Sequence, residues 1–327
     1  MASALDRRSR SAAVVLLASL HALLAACGGG GAPRSGPAAG ASGSDGVSAV
    51  AAVYPLAWLA ERIAPDAEVS LLNAGGPEAH DLEITPSQRE AVETADVVLF
   101  VGDIGYQPQV EQAVQSAEGQ VVSLAEVAGP DRLLEPVGGA HGDEGDEHRG
   151  DERATVDPHI WFDPGVMADA AVRTGEAFST AHPDGATTYR ENARELSEAL
   201  ADLEGELERT LGGGCRHREA VVSHQAYRYL LEPFGVEQHG VTGIDPSAGA
   251  SSTALAELVE EIEREGFEHV LTEPVEGRQG AETVAREADV ALLEISPLDA
   301  VTADQARRGF IDLVRDQAAR FATALGC

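Results

Sequence analysis

Val47-Ser48-Ala49-Val50-Ala51-Ala52-Val53 reads as a short apolar strand, and residues 54–64 directly after it read as a helix. Leu56, Leu59, Ala60 and Ile63 fall on one face of that helix. The same alternation continues outward. Strands are expected at 68–72, 96–101 and 121–124, with helices at about 85–95 and 107–117 between them. Thr85 followed by Pro86 has the form of an N-cap with proline at the first helical position. After a helix over 165–181 and a longer one over 187–211, ended by Gly212-Gly213-Gly214, the pattern resumes. Strands are expected at 220–223, 236–241, 269–272 and 290–295, and helices at 226–234, 251–266, 280–288 and 303–325. Strands alternating with helices imply parallel sheets flanked by helices. The expected fold is therefore α/β, with two open parallel-sheet lobes, 47–186 and 212–327, joined by the linker helix 187–211.

What precedes Val47 does not belong to that fold. Arg7, Arg8 and Arg10 stand before an apolar run over 12–26, too short and alanine-rich to span a bilayer, which is the layout of a secretory signal. The run ends in Leu24-Ala25-Ala26-Cys27, similar to a bacterial lipobox, so Cys27 is expected to become a lipidated N-terminus. Residues 27–46, rich in glycine, proline, serine and alanine, would serve as a flexible tether. The expected location is the outer face of the cytoplasmic membrane, with the lipid bilayer reached through Cys27.

Removing residues 1–26 takes the formal charge from −32 to −34, which excludes a nucleic-acid backbone reader because that needs a basic face. The acidity suits a soluble body that binds cations, and a solvated acidic surface accounts for it equally well; a monomer is expected. Every basic residue other than histidine is arginine. An exported protein can keep a disulfide. Cys215 and Cys327 are the pair available for one, two unpaired thiols being the alternative.

Asp157-Pro158-His159-Ile160-Trp161-Phe162-Asp163-Pro164 sets one histidine between two Asp-Pro corners, beside a Trp-Phe pair able to bury deeply. Proline fixes its own φ and pushes the residue before it towards extended geometry, so the backbone around His159 is expected to be stiff. In open parallel sheets, ligands bind beyond the carboxyl ends of the strands. His80 lies in the loop leaving strand 68–72, and His224 directly follows strand 220–223. His80, His159 and His224 can thus converge on one cleft and bind a metal ion, although each alone is more often a structural histidine than a ligand. His182 and His217 sit in polar connections, His239 is mid-strand, and His269 is at the amino end of its strand. The run from His141 to Arg153 holds His141, His148 and six carboxylates with no apolar residue. It is expected to be a mobile loop able to collect metal ions weakly.

Several blocks together carry a family resemblance. Gly76-Pro77-Glu78-Ala79-His80-Asp81-Leu82-Glu83, the acidic loop, the block around His159, Ser223-His224-Gln225-Ala226-Tyr227 and Leu271-Thr272-Glu273-Pro274 occur in that order. They resemble the ZnuA-like, cluster A-I solute-binding lipoproteins of bacterial ABC importers. The resemblance implies two α/β lobes with the ion between them, His80, His159 and His224 as ligands, and a membrane-embedded ABC permease as partner. Relatives that bind Mn²⁺ tend to have a carboxylate in place of His224, so the match leans to Zn²⁺, in accord with the preference of imidazole for zinc. One position departs: Ser296-Pro297-Leu298 stands where many relatives have Asp-Pro-Leu. The fourth metal position is then open to Glu294, Asp299, Glu273 or water.

Two other functions fit these residues. Three histidines and a water are also the inner shell of some zinc hydrolases, though the only general-base candidates near His80 are Glu78 and Glu83. A surface adhesin stabilised by metal is the other.

Overall fold

Four parallel strands build the first sheet of the computed structural model, which describes residues 46–74, 79–80, 82–136, 154–246, 249–274 and 277–327. β1 (Ser48–Ala51) leads into α1 (Tyr54–Ile63), and β2 (Glu68–Leu71) pairs with β1 from one side. α2 (Pro86–Thr94) starts on a capping box. Thr85 Oγ1 accepts from Gln88 N while the Gln88 side chain accepts from Thr85 N, and Pro86 takes a position where no amide donor is needed. β3 (Val97–Phe100), α3 (Pro108–Val114), β4 (Gln120–Ser123) and the short α4 (Leu124–Ala128) complete the lobe in strand order β2-β1-β3-β4. The single turn of α4, capped by Ser123 on Glu126 N, is absent from the sequence reading because five residues carry no readable period.

α5 (Pro164–Ala181), capped by Asp163, and α6 (Ala186–Leu211) follow. The second sheet repeats the first. β5 (Glu219–Val222), α7 (Arg228–Leu231), β6 (Glu237–Gly240), α8 (Ser252–Glu265), β7 (His269–Thr272), α9 (Arg278–Glu287) and β8 (Ala291–Glu294) give the order β6-β5-β7-β8. All pairings are parallel, with β5 central beside β6 and β7. α10 (Ala303–Arg308) and α11 (Phe310–Leu325) close the chain. Two expected helices are shorter than read. Pro233 leaves only the turn of α7 and a 3-10 turn over Glu232–Phe234. The helix expected over 303–325 is broken at Gly309, whose φ of +84° lies outside helical geometry.

α6 does more than space the lobes. Tyr189, Ala193, Leu196, Leu200, Leu203, Leu207 and Leu211 bury one continuous face against α5, α1 and α11. The largest apolar cluster accordingly runs through both lobes, from Val47 to Leu325. A second cluster lies under α2 and α3, and a third under α8 and α9. Each sheet is thus covered on both faces, as parallel sheets require. Residues 44–327 form one compact unit. Cys215 and Cys327 are joined, tying the end of α11 to the entry of β5. No helix among the described residues is long and apolar enough to cross a membrane. The signal expected over 1–26 and, but for Gly46, the tether expected over 27–46, with Cys27, lie outside the described residues, as do His141 and His148.

Candidate metal centre

The Asp-Pro corners around His159 are rigid for a reason beyond proline. Asp157 Oδ1 accepts the His159 backbone N–H at 3.0 Å and stands 2.8 Å from His159 Nδ1. Both residues are buried, at 0% and 1% exposure. Ile160–Phe162 form one 3-10 turn whose side chains are fully buried. Trp161 Nε1–H donates to Pro297 O at 2.8 Å, joining this turn to the loop after β8.

His224 leaves the carboxyl end of β5, as expected. Its Nδ1 stands 2.8 Å from Glu273 Oε2, and Glu273 Oε1 accepts the Tyr227 hydroxyl at 2.7 Å. His80 is half-buried beside Ala79, whose carbonyl accepts from Gln107 Nε2 at 3.1 Å. Its ring stands edge-on to Tyr106, with centroids 4.7 Å apart. Glu111 holds Tyr106 in turn, accepting the backbone N–H groups of Gly105, Tyr106 and Gln107.

These three histidines meet. Ring centroids are 5.5 Å apart for His80 and His159, 6.3 Å for His80 and His224, and 5.3 Å for His159 and His224. One nitrogen from each lies within 4.8 Å of the others. With Nδ1–H of His159 and of His224 donating to their carboxylates, each Nε2 presents a lone pair, and these two atoms face each other at 3.4 Å. Two lone pairs at that distance repel unless a cation sits between them. His80 is held neutral, its pKa well below the ordinary value, first through burial and then through the neighbouring His159 and His224. Neutral imidazole is the form a metal ion needs.

The candidates for a fourth position separate by place. Asp299 is buried at 6% exposure, and burial raises its pKa, with His159, Glu273 and His224 all close enough to act on it. The residue before it, Leu298, has a φ of +63°, a strained value for leucine. Asp299 O accepts from Tyr54 N at 2.9 Å, so this loop is also bound to the first lobe. Glu273 is occupied in holding His224. Glu294 is exposed at the end of β8, and none of Glu294, Asp299 and Glu273 falls in a metal-binding cluster among the described residues, so burial beside the histidines is what distinguishes Asp299. Ser296 Oγ accepts from Leu298 N, and Gln317 Oε1 holds the Ser296 amide.

His182, bonded to Tyr189 OH at 2.8 Å, lies outside the trio, as do His217 and His269. Sequence reasoning gave no role to Asp157, Tyr227, Tyr106 or Glu111. Asp157 carried a signal, since a carboxylate two residues before a histidine can reach its ring. Tyr227 carried none, because its partner is 46 residues away.

The model of the family described as "Zinc-uptake complex component A periplasmic" matches residues 49–324. The zinc-binding lipoprotein AdcA of Streptococcus pneumoniae is 27% identical over 263 residues, covering 80% of this chain and 52% of that protein. The chain thus spans about half the length of the curated relatives it matches. Among solved structures, the Zn(II)-bound ZnuA-like domain of Streptococcus pneumoniae AdcA superposes with a TM-score of 0.67 at 22% identity, covering 86% of this chain and all of that one. The laminin-binding protein Lmb of Streptococcus agalactiae, described as having adhesin and metal-transporting activity, gives 0.70 at 19% identity over 86% of this chain and all of that one. At those identities the superpositions show the two-lobed α/β fold.

Proposed function

Since the chain belongs to the family of periplasmic zinc-uptake component A proteins, we propose that it captures Zn²⁺ outside the cytoplasm and delivers it to an ABC-type permease without enzymatic turnover. His80, His159 and His224 are the ligands in this reading, and Asp299 is the group that completes the shell. Asp157 and Glu273 hold the imidazoles by their far nitrogens. The observation that carries the proposal is the facing pair of Nε2 atoms, 3.4 Å apart, brought together from the two halves of the chain. Imidazole suits zinc better than manganese, which favours carboxylate-rich shells. Residues 1–26 act as the export signal, Cys27 as the lipid anchor, 27–46 as the tether, and 187–211 as the helix joining lobes 47–186 and 212–327. The monomer is the unit that meets the permease.

Competitive titration of the metal-free chain against a chromophoric chelator tests the binding step. One tight Zn²⁺ equivalent, preferred over Mn²⁺, is expected; absence of a tight equivalent refutes it. A strain lacking the chain should fail to grow under zinc chelation and recover with added zinc. Ester hydrolysis by the zinc-loaded chain, abolished by His159→Ala, would instead favour a hydrolase.

A further inference from the structure

Leu298 is fully buried with a φ of +63°, and both of its neighbours are tied to the first lobe. Before it, Pro297 O accepts the Trp161 indole N–H at 2.8 Å. After it, Asp299 O accepts the Tyr54 N–H at 2.9 Å. The same loop is fixed within its own lobe at its start, where Gln317 Oε1 accepts the Ser296 amide and Ser296 Oγ accepts the Leu298 N–H. The loop leaving β8 is thus held between the two halves of the molecule, with its strained residue directly between the two inter-lobe bonds.

A left-handed backbone is unfavourable for leucine and persists only where the surroundings over-determine it. Here the two first-lobe donors do so. Trp161 is fully buried, and an indole has a single N–H. Tyr54 is the first residue of α1, where the Val53 cap supplies no side-chain bond, so its amide is one that the helix leaves unpaired. A loop that relaxed away from the first lobe would strand both donors, which costs more than a made hydrogen bond returns. Trp161 also sits in the 3-10 turn that directly follows His159, and Asp157 fixes His159 through both backbone and ring. One rigid element therefore presents an imidazole to the cleft and, two residues on, grips the loop that carries Asp299.

We infer that Trp161 is a positioning residue for zinc: through Pro297 it holds the strained turn at Leu298, keeps the Asp299 carboxylate beside His159 and His224, and thereby slows release of the ion. The inference rests on the reading of Asp299 as the group that completes the shell. Trp161 touches no ion itself, since its only polar hydrogen is spent on Pro297.

Trp161→Phe keeps an aromatic ring in place and removes the donor. The full chain is loaded with one equivalent of Zn²⁺, and release into excess chelator is timed for wild type, Trp161→Phe, Asp299→Asn and the double variant. Trp161→Phe should speed release about 3–10-fold, with the circular dichroism of the metal-free chain unchanged. In the Asp299→Asn background it should add less than about twofold, because the group it positions is gone. With Co²⁺ in place of Zn²⁺, the visible spectrum of Trp161→Phe should move towards that of Asp299→Asn, a change in the ligand shell that lost packing alone does not produce. Should Trp161→Phe fail to fold, Ser296→Ala carries the same test, since it frees the Leu298 amide within the same turn. The inference is overturned if Trp161→Phe releases Zn²⁺ at the wild-type rate, or if its effect multiplies in full with that of Asp299→Asn. Release at the wild-type rate from Asp299→Asn would overturn the ligand reading itself, and the inference with it.

Discussion

His159 Nε2 and His224 Nε2 stand 3.4 Å apart although 65 residues separate them in the chain. Each is oriented by a buried carboxylate on its other nitrogen, Asp157 for one and Glu273 for the other. The fold has placed two like-natured acceptors face to face, an arrangement that a bound cation relieves.

In the proposed site, removing one imidazole takes away one of few metal bonds. His80→Ala, His159→Ala and His224→Ala should each weaken Zn²⁺ by at least about a hundredfold, roughly 2.8 kcal/mol. His182→Ala and His269→Ala should leave affinity within a factor of about two. Competitive chelator titration of the five variants decides; comparable losses in all five would reject the assignment.

The supporting carboxylates should matter less than the ligands but measurably. Asp157→Asn and Glu273→Gln should each cost about 10–100-fold in Zn²⁺ affinity, the usual range for groups that orient a metal-bound histidine. Tyr227→Phe, which removes the hydroxyl on Glu273, should cost less than Glu273→Gln. An affinity equal to wild type in Asp157→Asn and Glu273→Gln would show that packing alone orients the rings.

Asp299 and Ser296 make opposite predictions. If the buried Asp299 carboxylate closes the shell as proposed, Asp299→Asn should lower Zn²⁺ affinity about tenfold or more. Ser296→Asp should bring no gain, since Ser296 Oγ is held in its own turn with Leu298 N. Tighter binding in Ser296→Asp, with Asp299→Asn unchanged, would mean that the fourth position is open to water.

His80 gives the metal-free chain a pH dependence. Its folded pKa is depressed, so at pH above the ordinary value of about 6.5 both folded and unfolded states are neutral and no penalty exists. Below that value the unfolded chain takes up a proton that the folded chain refuses, and stability falls with pH towards the depressed folded pKa. Denaturant midpoints of the metal-free chain should therefore drop more steeply below pH 6.5 in wild type than in His80→Gln. Identical slopes would refute the assignment of that proton to His80.

The anchor is tested independently of the metal. Cys27→Ser should release the chain from membranes into the soluble fraction, with Zn²⁺ affinity unchanged. A variant that still sediments with membranes would rule out lipidation at Cys27.

Most of the fold was legible because parallel α/β architecture writes itself in a local pattern. Apolar strands such as Val97–Phe100 and caps such as Thr85–Pro86 are decided within a few residues, and so are the amphipathic stripe of α6 and the start of α8 at Ser251. Less was readable where one residue overrides the pattern, as Gly309 does between α10 and α11. The shared core through α6 was also hidden, because a helix face shows that it is buried and not what buries it.

By itself the sequence determined the strand order along the chain, most of the helices between the strands, the two parallel sheets, and the three loops that carry His80, His159 and His224. These follow from spacing along the chain and from the rule that such loops gather at the carboxyl ends of strands. Only the tertiary structure decided which nitrogen each ring presents, because Asp157 fixes one ring locally while Glu273 reaches the other across 49 residues. It alone set Asp299 apart from Glu294, since burial beside His159 and His224 is a property of packing and carries no mark in the local sequence.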